Sequence, residues 1–348
     1  MPTLAPSRRV AGIGVQMTNL QWVPLWGDFA VEGDVITFKG STWMPDAEVQ
    51  AAAAAIPSAP TDHPVKRSTV GTILCSQSMV NGTISADVEF EEVYPDTGCE
   101  LIASYNVESQ SQISAGIPNR SDASFSIREW SPPKLDNANT PVGGWRIFSA
   151  AGSRSFLTPG KKIALRVKIT GSNIALEMNG VQVATATITN PLSGPHQIGI
   201  WCCNRKDIKI SRFTVDATNP RAFIISEFKE PYDGIYNLVI KDACKEFGLE
   251  AVRADEIFGP GMIISDITKE ILAAQVMIAD ISPVNANVYF EVGYALALQK
   301  PIILLAESQT KLPFDVSGFR VLFYANSISG REKMVEGLRN HLASILRH

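Results

Sequence analysis

Residues 276–306 decide how the carboxyl-terminal part of the chain is read: Val276-Met-Ile-Ala-Asp280, Ile281-Ser-Pro-Val-Asn-Ala-Asn287, Val288-Tyr-Phe-Glu-Val-Gly-Tyr-Ala-Leu-Ala-Leu-Gln299 and Lys300-Pro-Ile-Ile-Leu-Leu-Ala306. The first piece is a short apolar run without polar alternation, the pattern of a strand buried on both faces. A polar loop follows, then a helix over 288–299 and a second buried strand over 301–306. Strand, helix and strand in that order make a parallel crossover.

The same rhythm extends outward on both sides. Ala222-Phe-Ile-Ile-Ser226 is another buried-type strand. Ile235, Leu238, Val239 and Ala243 form a helical stripe ending near Phe247, with Gly248 as its stop. Strand 249–254, helix 264–274, strand 321–324 and helix 331–346 complete the series. The expectation for residues 221–348 is a flavodoxin-like α/β unit, a parallel sheet covered on both faces.

Upstream the period changes from helical to strand. Ile84, Ala86, Val88 and Phe90 alternate with Thr83, Ser85, Asp87 and Glu89, and Ile163, Leu165, Val167 and Ile169 alternate with polar or small residues. Ile174, Leu176 and Met178 follow a Gly171-Ser172 turn, and Asn179-Gly180 is a type I′ hairpin signal. Further strands are expected at 35–39, 70–76, 101–106, 124–128, 197–202 and 208–215. Many antiparallel strands with one apolar face predict an all-β jelly-roll sandwich over residues 1–216. Val49–Pro60 reads as a short helix or loop, and Glu129–Gly144, rich in Pro and Asn, as a loop. Asp216-Ala-Thr-Asn-Pro220 reads as the junction between the two parts.

Composition narrows the function. The chain has 348 residues, a net charge of −4 and no apolar run of membrane-spanning length. Extended nucleic-acid binding and membrane insertion are therefore not expected. Cys75, Cys99, Cys202, Cys203 and Cys244 show no paired spacing, which predicts reduced, buried thiols and a cytoplasmic setting. Cys202 and Cys203, adjacent on a strand, should face opposite ways. The four scattered histidines fall in no metal-ligand spacing, so no metal is expected. His63, in a loop before proline, is not expected to be catalytic, and no cofactor is implied.

In open parallel sheets ligands bind beyond the carboxyl ends of the strands. That rule selects Ser226, Glu227, Phe228 and Tyr232 after the first strand, Arg253 and Asp255 after the second, and Asp280, Ser282, Asn285 and Asn287 after the third. Glu291 is placed in the first turn of the helix that follows, and Asp266 near the start of the preceding one. Each has a plainer reading beside the functional one. Glu291 would suit a helix dipole, Asp280 could accept amides at a loop entry, and Asn287 could be an N-cap. Asp266 could cap or pair, Arg253 and Asp255 could be a surface pair, and Phe228 and Tyr232 could simply pack. Gly259-Pro-Gly261 lacks the lysine and spacing of a phosphate loop and reads as a turn.

Spacing and order over 279–305 resemble the "AD…N.N..YE.GYA.A..KP.I.L" pattern of nucleoside 2-deoxyribosyltransferase-like proteins and TIR-like nucleotide-binding domains. The "FIIS.F", "C…GL…RADEI" and "I..DI...I..A" segments match as well. The resemblance implies a catalytic carboxylate at Glu291 and a sugar-site role for Asp280. Val284-Asn-Ala-Asn287 departs from the acidic, Ser/Gly-containing loop of the classical transferases. The sandwich strands resemble concanavalin A-like (laminin G-like) jelly rolls, on the "NGTISADVEF", "LIASYN" and "PGKKIALRVKITGSNIALEMNGVQVA" segments.

The function these resemblances imply is N-glycosidic cleavage of NAD, a nucleoside or a nucleotide. A carboxylate would stabilise the positive charge that builds at the anomeric carbon. Asp280 and Asn287 would hold ribose hydroxyls, Phe228 or Tyr232 would stack on a base, and Arg253 would meet a phosphate. The architecture suggests a bacterial anti-phage or stress effector, homo-oligomeric and triggered through the sandwich. The alternatives are a nucleotide-binding sensor without turnover and a carbohydrate-binding adaptor.

Overall fold

The computed structural model describes residues 14–16, 20–41, 69–119, 121–135, 141–188, 196–257, 263–316 and 318–346. Val49–Pro60, His63 and Gly259–Gly261 lie outside them. Strands β1 to β15 are, in chain order, Gly14–Gln16, Trp22–Trp26, Phe29–Glu32, Val35–Phe38, Val70–Met79, Asn81–Phe90, Gly98–Asn106, Ser111–Ile117, Phe125–Leu135, Pro141–Ala151, Ile163–Thr170, Asn173–Met178, Val181–Thr187, His196–Cys203 and Ile208–Thr218. They form two antiparallel sheets. One has the order β13-β12-β11-β6-β15-β4-β3, with β1 pairing β15, and the other β10-β9-β8-β7-β14-β5-β2.

The alternation seen in the sequence becomes the core of this sandwich. Val167 stands opposite Ile84 on β6 and Leu176 on β12, and all three are buried, as are Val88 and Leu165. Leu101, Ile127, Ile200 and Cys202 meet them from the other sheet. Asn179 and Gly180 both have positive φ, 47° and 81°, so the β12–β13 turn takes the expected hairpin form. Cys202 sits in this core while Cys203 joins a separate cluster on the outer face, as adjacent strand residues must. All five cysteines are buried free thiols.

The segment Glu129–Gly144 is not a loop where it is described. Its residues belong to the antiparallel pair β9–β10, with Trp130 opposite Trp145 and Glu129 opposite Arg146. Prolines 132 and 133 fit because β9 pairs β8 only through Trp130, so beyond that point β9 needs no second ladder. Across from them the register shifts between Val142 and Gly144. Gly143 (φ 118°) passes so close that a Cβ would lie 2.7 Å from the Pro132 carbonyl oxygen.

The third sheet is parallel, with strands β16 Arg221–Ile225, β17 Glu250–Arg253, β18 Val276–Asp280, β19 Ile302–Glu307 and β20 Val321–Tyr324 in the order β17-β16-β18-β19-β20. Since β15 ends at Thr218, only Asn219-Pro220 separates it from β16. Helix α1 is composite: Tyr232–Ile235, a π-helical turn Tyr236–Ile240, and Lys241–Glu246. The others are α2 Ile263–Ala273, α3 Ala286–Ala297 and α4 Ile328–Leu346. Alternate strand residues serve opposite faces. Ala222, Ile224, Ile278 and Leu305 pack under α1 and α4, and Phe223, Ile225, Met277 and Leu304 under α2 and α3. No helix among the described residues is long and apolar enough to cross a membrane.

Helix α2 is held at its carboxyl end from two directions. The buried Lys300 ammonium donates to the Leu272 and Ala274 carbonyls at 2.7 and 2.8 Å, satisfying acceptors that a helix end leaves open. The Ser172 amide, on the β11–β12 turn of the sandwich, also donates to the Leu272 carbonyl at 3.0 Å.

Candidate functional site

A cleft of about 790 Å³ opens beyond the carboxyl ends of β16 and β17 and against α3, which follows β18; β16 and β18 are the neighbouring strands from which the chain departs to opposite sides. Ser226 to Lys229, leaving β16, form one wall. Asp255 and Ile257 follow β17, and Asp266 and Ile267 come from α2. Asn285, Asn287 and Glu291 close it at the amino-terminal half of α3. Of the residues selected by sequence, Ser226, Glu227, Phe228, Asp255, Asp266, Asn285, Asn287 and Glu291 share this cleft. Tyr232, Arg253, Asp280 and Ser282 are not among its lining residues.

Glu291 owes its position to where α3 begins. Asn285 is the N-cap, its side-chain oxygen accepting from the Asn287 amide at 2.9 Å, so the cap is Asn285 and not Asn287. The helix therefore starts at Ala286, and Glu291 falls in its second turn, past the stretch where the helix dipole acts strongly. Among the described residues no hydrogen bond or ion pair reaches its carboxylate. Burial alone pushes its pKa up to about 7. Ser226 is buried on the facing wall, and its hydroxyl has no partner among the described residues.

A second carboxylate sits in the same cleft with the opposite tendency. Glu227 is held below the ordinary carboxylate range by Lys229 and by the Asn285 side-chain amide, which donates to it at 2.9 Å. The sequence marks Glu227 by its place directly after a strand end, without assigning it a chemical role. One cleft thus carries one carboxylate whose pKa is held low and another whose pKa burial lifts to about 7, an arrangement suited to acid–base work. Phe228 and Phe290 are exposed at the rim and offer flat apolar surface.

Arg253 is not available to a phosphate. It is 5% exposed, with Nη1 lying 2.8 Å from Asp233 and Nε and Nη2 gripping both oxygens of Asp255 at 2.8 and 2.7 Å. The rings of Tyr236 and Phe228 lie 4.4 and 5.1 Å from its guanidinium carbon. It braces the cleft wall from behind, and Asp255 faces the cleft as its partner. Asp266 pairs with Lys269 on its own helix at 3.0 Å. Asp280 is 2% exposed and fully engaged: the Ser282 amide and hydroxyl donate to Oδ1, and the Tyr324 hydroxyl donates to Oδ2.

Fold and cleft together define a chain of two architectural parts, a jelly-roll β-sandwich and a parallel-sheet α/β unit with a cleft at its strand ends. No family model matches the chain, and no curated protein matches it. Solved structures similar to the sandwich include a carbohydrate binding module, CBM66, from Bacillus subtilis (11% identity, TM-score 0.39, 57% of this chain and 98% of that one). A prokaryotic lichenase derived from a mouse hindgut metagenome is another (10% identity, TM-score 0.37, 60% and 99%). The TIR domain of a Toll-related receptor from Hydra magnipapillata is similar over 35% of this chain and 96% of its own, at 15% identity and TM-score 0.30. The likeness to deoxyribosyltransferases rests on the sequence motif alone.

Proposed function

We propose that the α/β cleft binds a nucleoside-containing small molecule, NAD or a nucleoside or nucleotide, and breaks its N-glycosidic bond at Glu291. The observation that carries this reading is a half-buried carboxylate, without a partner among the described residues and lifted to about 7, in a cleft at the carboxyl edge of a parallel sheet. Groups so placed are costly to the fold and are characteristic of working sites. The motif surrounding Glu291 points to the same chemistry.

As the bond breaks, its electron pair leaves with the base and positive charge grows on the anomeric carbon. The ionised Glu291 stabilises that charge. Water then attacks the same carbon, and its proton passes to Glu291 or to the departing base. The buried Ser226 hydroxyl is free to bond a ribose oxygen, and Phe228 and Phe290 offer stacking surface for the base. The sandwich acts as the regulatory part of a homo-oligomeric cytoplasmic effector.

The test is incubation of the full chain with NAD and a panel of nucleosides and nucleotides, following free base by chromatography. Release of base from one of them supports the reading. Saturable binding without release, under every condition tried, replaces it with a sensor that binds without turnover.

A further inference from the structure

We infer that the outer face of the seven-stranded sheet is a binding site for a neutral oligosaccharide, independent of the α/β cleft and its chemistry. This face should meet water, yet it holds a second cleft of about 640 Å³ lined by four of the chain's six tryptophans. Trp26 comes from β2, Trp201 from β14, Trp130 from β9 and Trp145 from β10, so the cleft runs across the sheet from one edge to the other. Trp26 and Ile147 remain 43% and 55% exposed. A sheet needs no such patch for its own core, and exposed apolar surface of this kind marks a contact site.

The floor of the cleft is a built polar network. Glu100, with no exposed surface, receives Arg128 Nε at 2.7 Å and the hydroxyls of Ser114 and Ser126 at 2.7 and 3.2 Å. The Arg128 guanidinium lies 3.6 Å from the Trp145 ring centroid and 5.0 Å from that of Trp201, which fixes both rings. Asn119 accepts from Arg128 Nη2 at 3.1 Å. Gln112 lines the cleft at 3% exposure. Side-chain amides lining a cleft, here Gln112 and Asn119, are groups that fix a hydroxyl-rich ligand.

Three properties select the ligand. Arg128 is the one Lys, Arg, Asp, Glu or His among the described lining residues, and Glu100 already neutralises it, so no described residue of the cleft offers a charged ligand a free counter-charge. The rings are tilted, Trp130 to Trp145 by 51° and Trp145 to Trp201 by 75°, leaving no parallel slot for a planar base. The site lies on the face of a hydrogen-bonded sheet, so an added peptide strand has no open ladder to join. A chain of neutral sugars fits these conditions. Its rings present C–H faces to tryptophan and their hydroxyls bond amides such as Gln112 and Asn119.

The experiment titrates the full chain with cellohexaose, laminarihexaose, xylohexaose, mannohexaose and chitohexaose, with adenosine as the planar-base probe. Tryptophan fluorescence and calorimetry are read together. Saturable binding of at least one oligosaccharide is expected, with adenosine leaving the signal of this site unchanged. Trp145→Ala and Trp26→Ala should each weaken that binding by at least about tenfold. Trp26 is exposed enough that its removal leaves the fold intact, as circular dichroism would check. Binding by none of the sugars overturns the inference. So does sugar binding that survives both substitutions in folded protein, or a response to adenosine that Trp145→Ala abolishes.

Discussion

The Tyr324 hydroxyl, at the end of β20, donates to Asp280 Oδ2 at 2.7 Å, reaching over β19 to the end of β18. With Ser282 on Oδ1, this bond satisfies a carboxylate that burial pushes above its ordinary pKa. Asp280 thereby ties the β18 exit to the sheet edge, and Tyr324 is the tie.

Tyr324→Phe keeps the ring and removes that donor. Stability should fall by about 1–3 kcal/mol, the usual cost of a buried acceptor left unmet, read as a lower urea midpoint. Base release by the folded fraction should be unchanged. A loss of turnover at unaltered stability would place Asp280 against the substrate instead.

Glu291→Gln keeps size and hydrogen bonding but removes the charge. Nucleotide or nucleoside affinity should survive, while base release falls by at least roughly 100-fold. Paired binding and turnover measurements decide it, since a carboxylate used only for binding would show the reverse pattern.

The pH dependence follows from the same side chain. If the ionised form works, kcat/KM should climb through about pH 7 and level off above it. Stability runs the other way. The folded pKa lies above the unfolded value of 4.5, so the native state holds this proton more tightly and loses stability as pH rises from about 4.5 to about 7. Melting temperatures of Glu291→Gln and wild type should coincide near pH 4.5. At pH 8 the variant should be higher by about 2–4 °C, the scale of a partly solvated charge relieved.

Arg253→Lys retains the charge and loses the fork that grips Asp255 while reaching Asp233. Because Arg253 is buried, the expected loss is about 3 kcal/mol by denaturant titration. Asp255 and Phe228 both line the cleft, so the Michaelis constant should rise with it. An Arg253→Lys protein of wild-type stability would show that the brace is dispensable.

Period carried most of the fold. The alternating strands of β6 and β11 and the buried runs of β16 and β18 are local patterns, and they appear where the sequence places them. What local pattern cannot carry is position within a sheet. The β9–β10 hairpin looked like a loop because its prolines are acceptable only at a sheet edge with a bulge opposite, and neither condition is written in composition. Arg253 looked solvent-facing because nothing beside it in the chain reveals Tyr236 and Phe228 folded over it. The tryptophans at 26, 130, 145 and 201 are far apart in sequence, and only strand order gathers them. The choice between Asn285 and Asn287 as cap shifts Glu291 by two residues, a little over half a turn, which matters more for its chemistry than for the fold.

The two strands made last in the sandwich, β14 and β15, lie in the interior of their sheets: β14 between β7 and β5, and β15 between β6 and β4. Earlier strands therefore emerge from the ribosome with vacant seats between them, their edges open. Closure waits for residues 196–218, immediately before β16 begins. Pairing across such long intervals of sequence is slow and leaves edges exposed in the meantime. Any fragment that stops short of Thr218 lacks part of the central ladder of one sheet or both. The nascent chain can complete its sandwich only as the first strand of the α/β unit is being made.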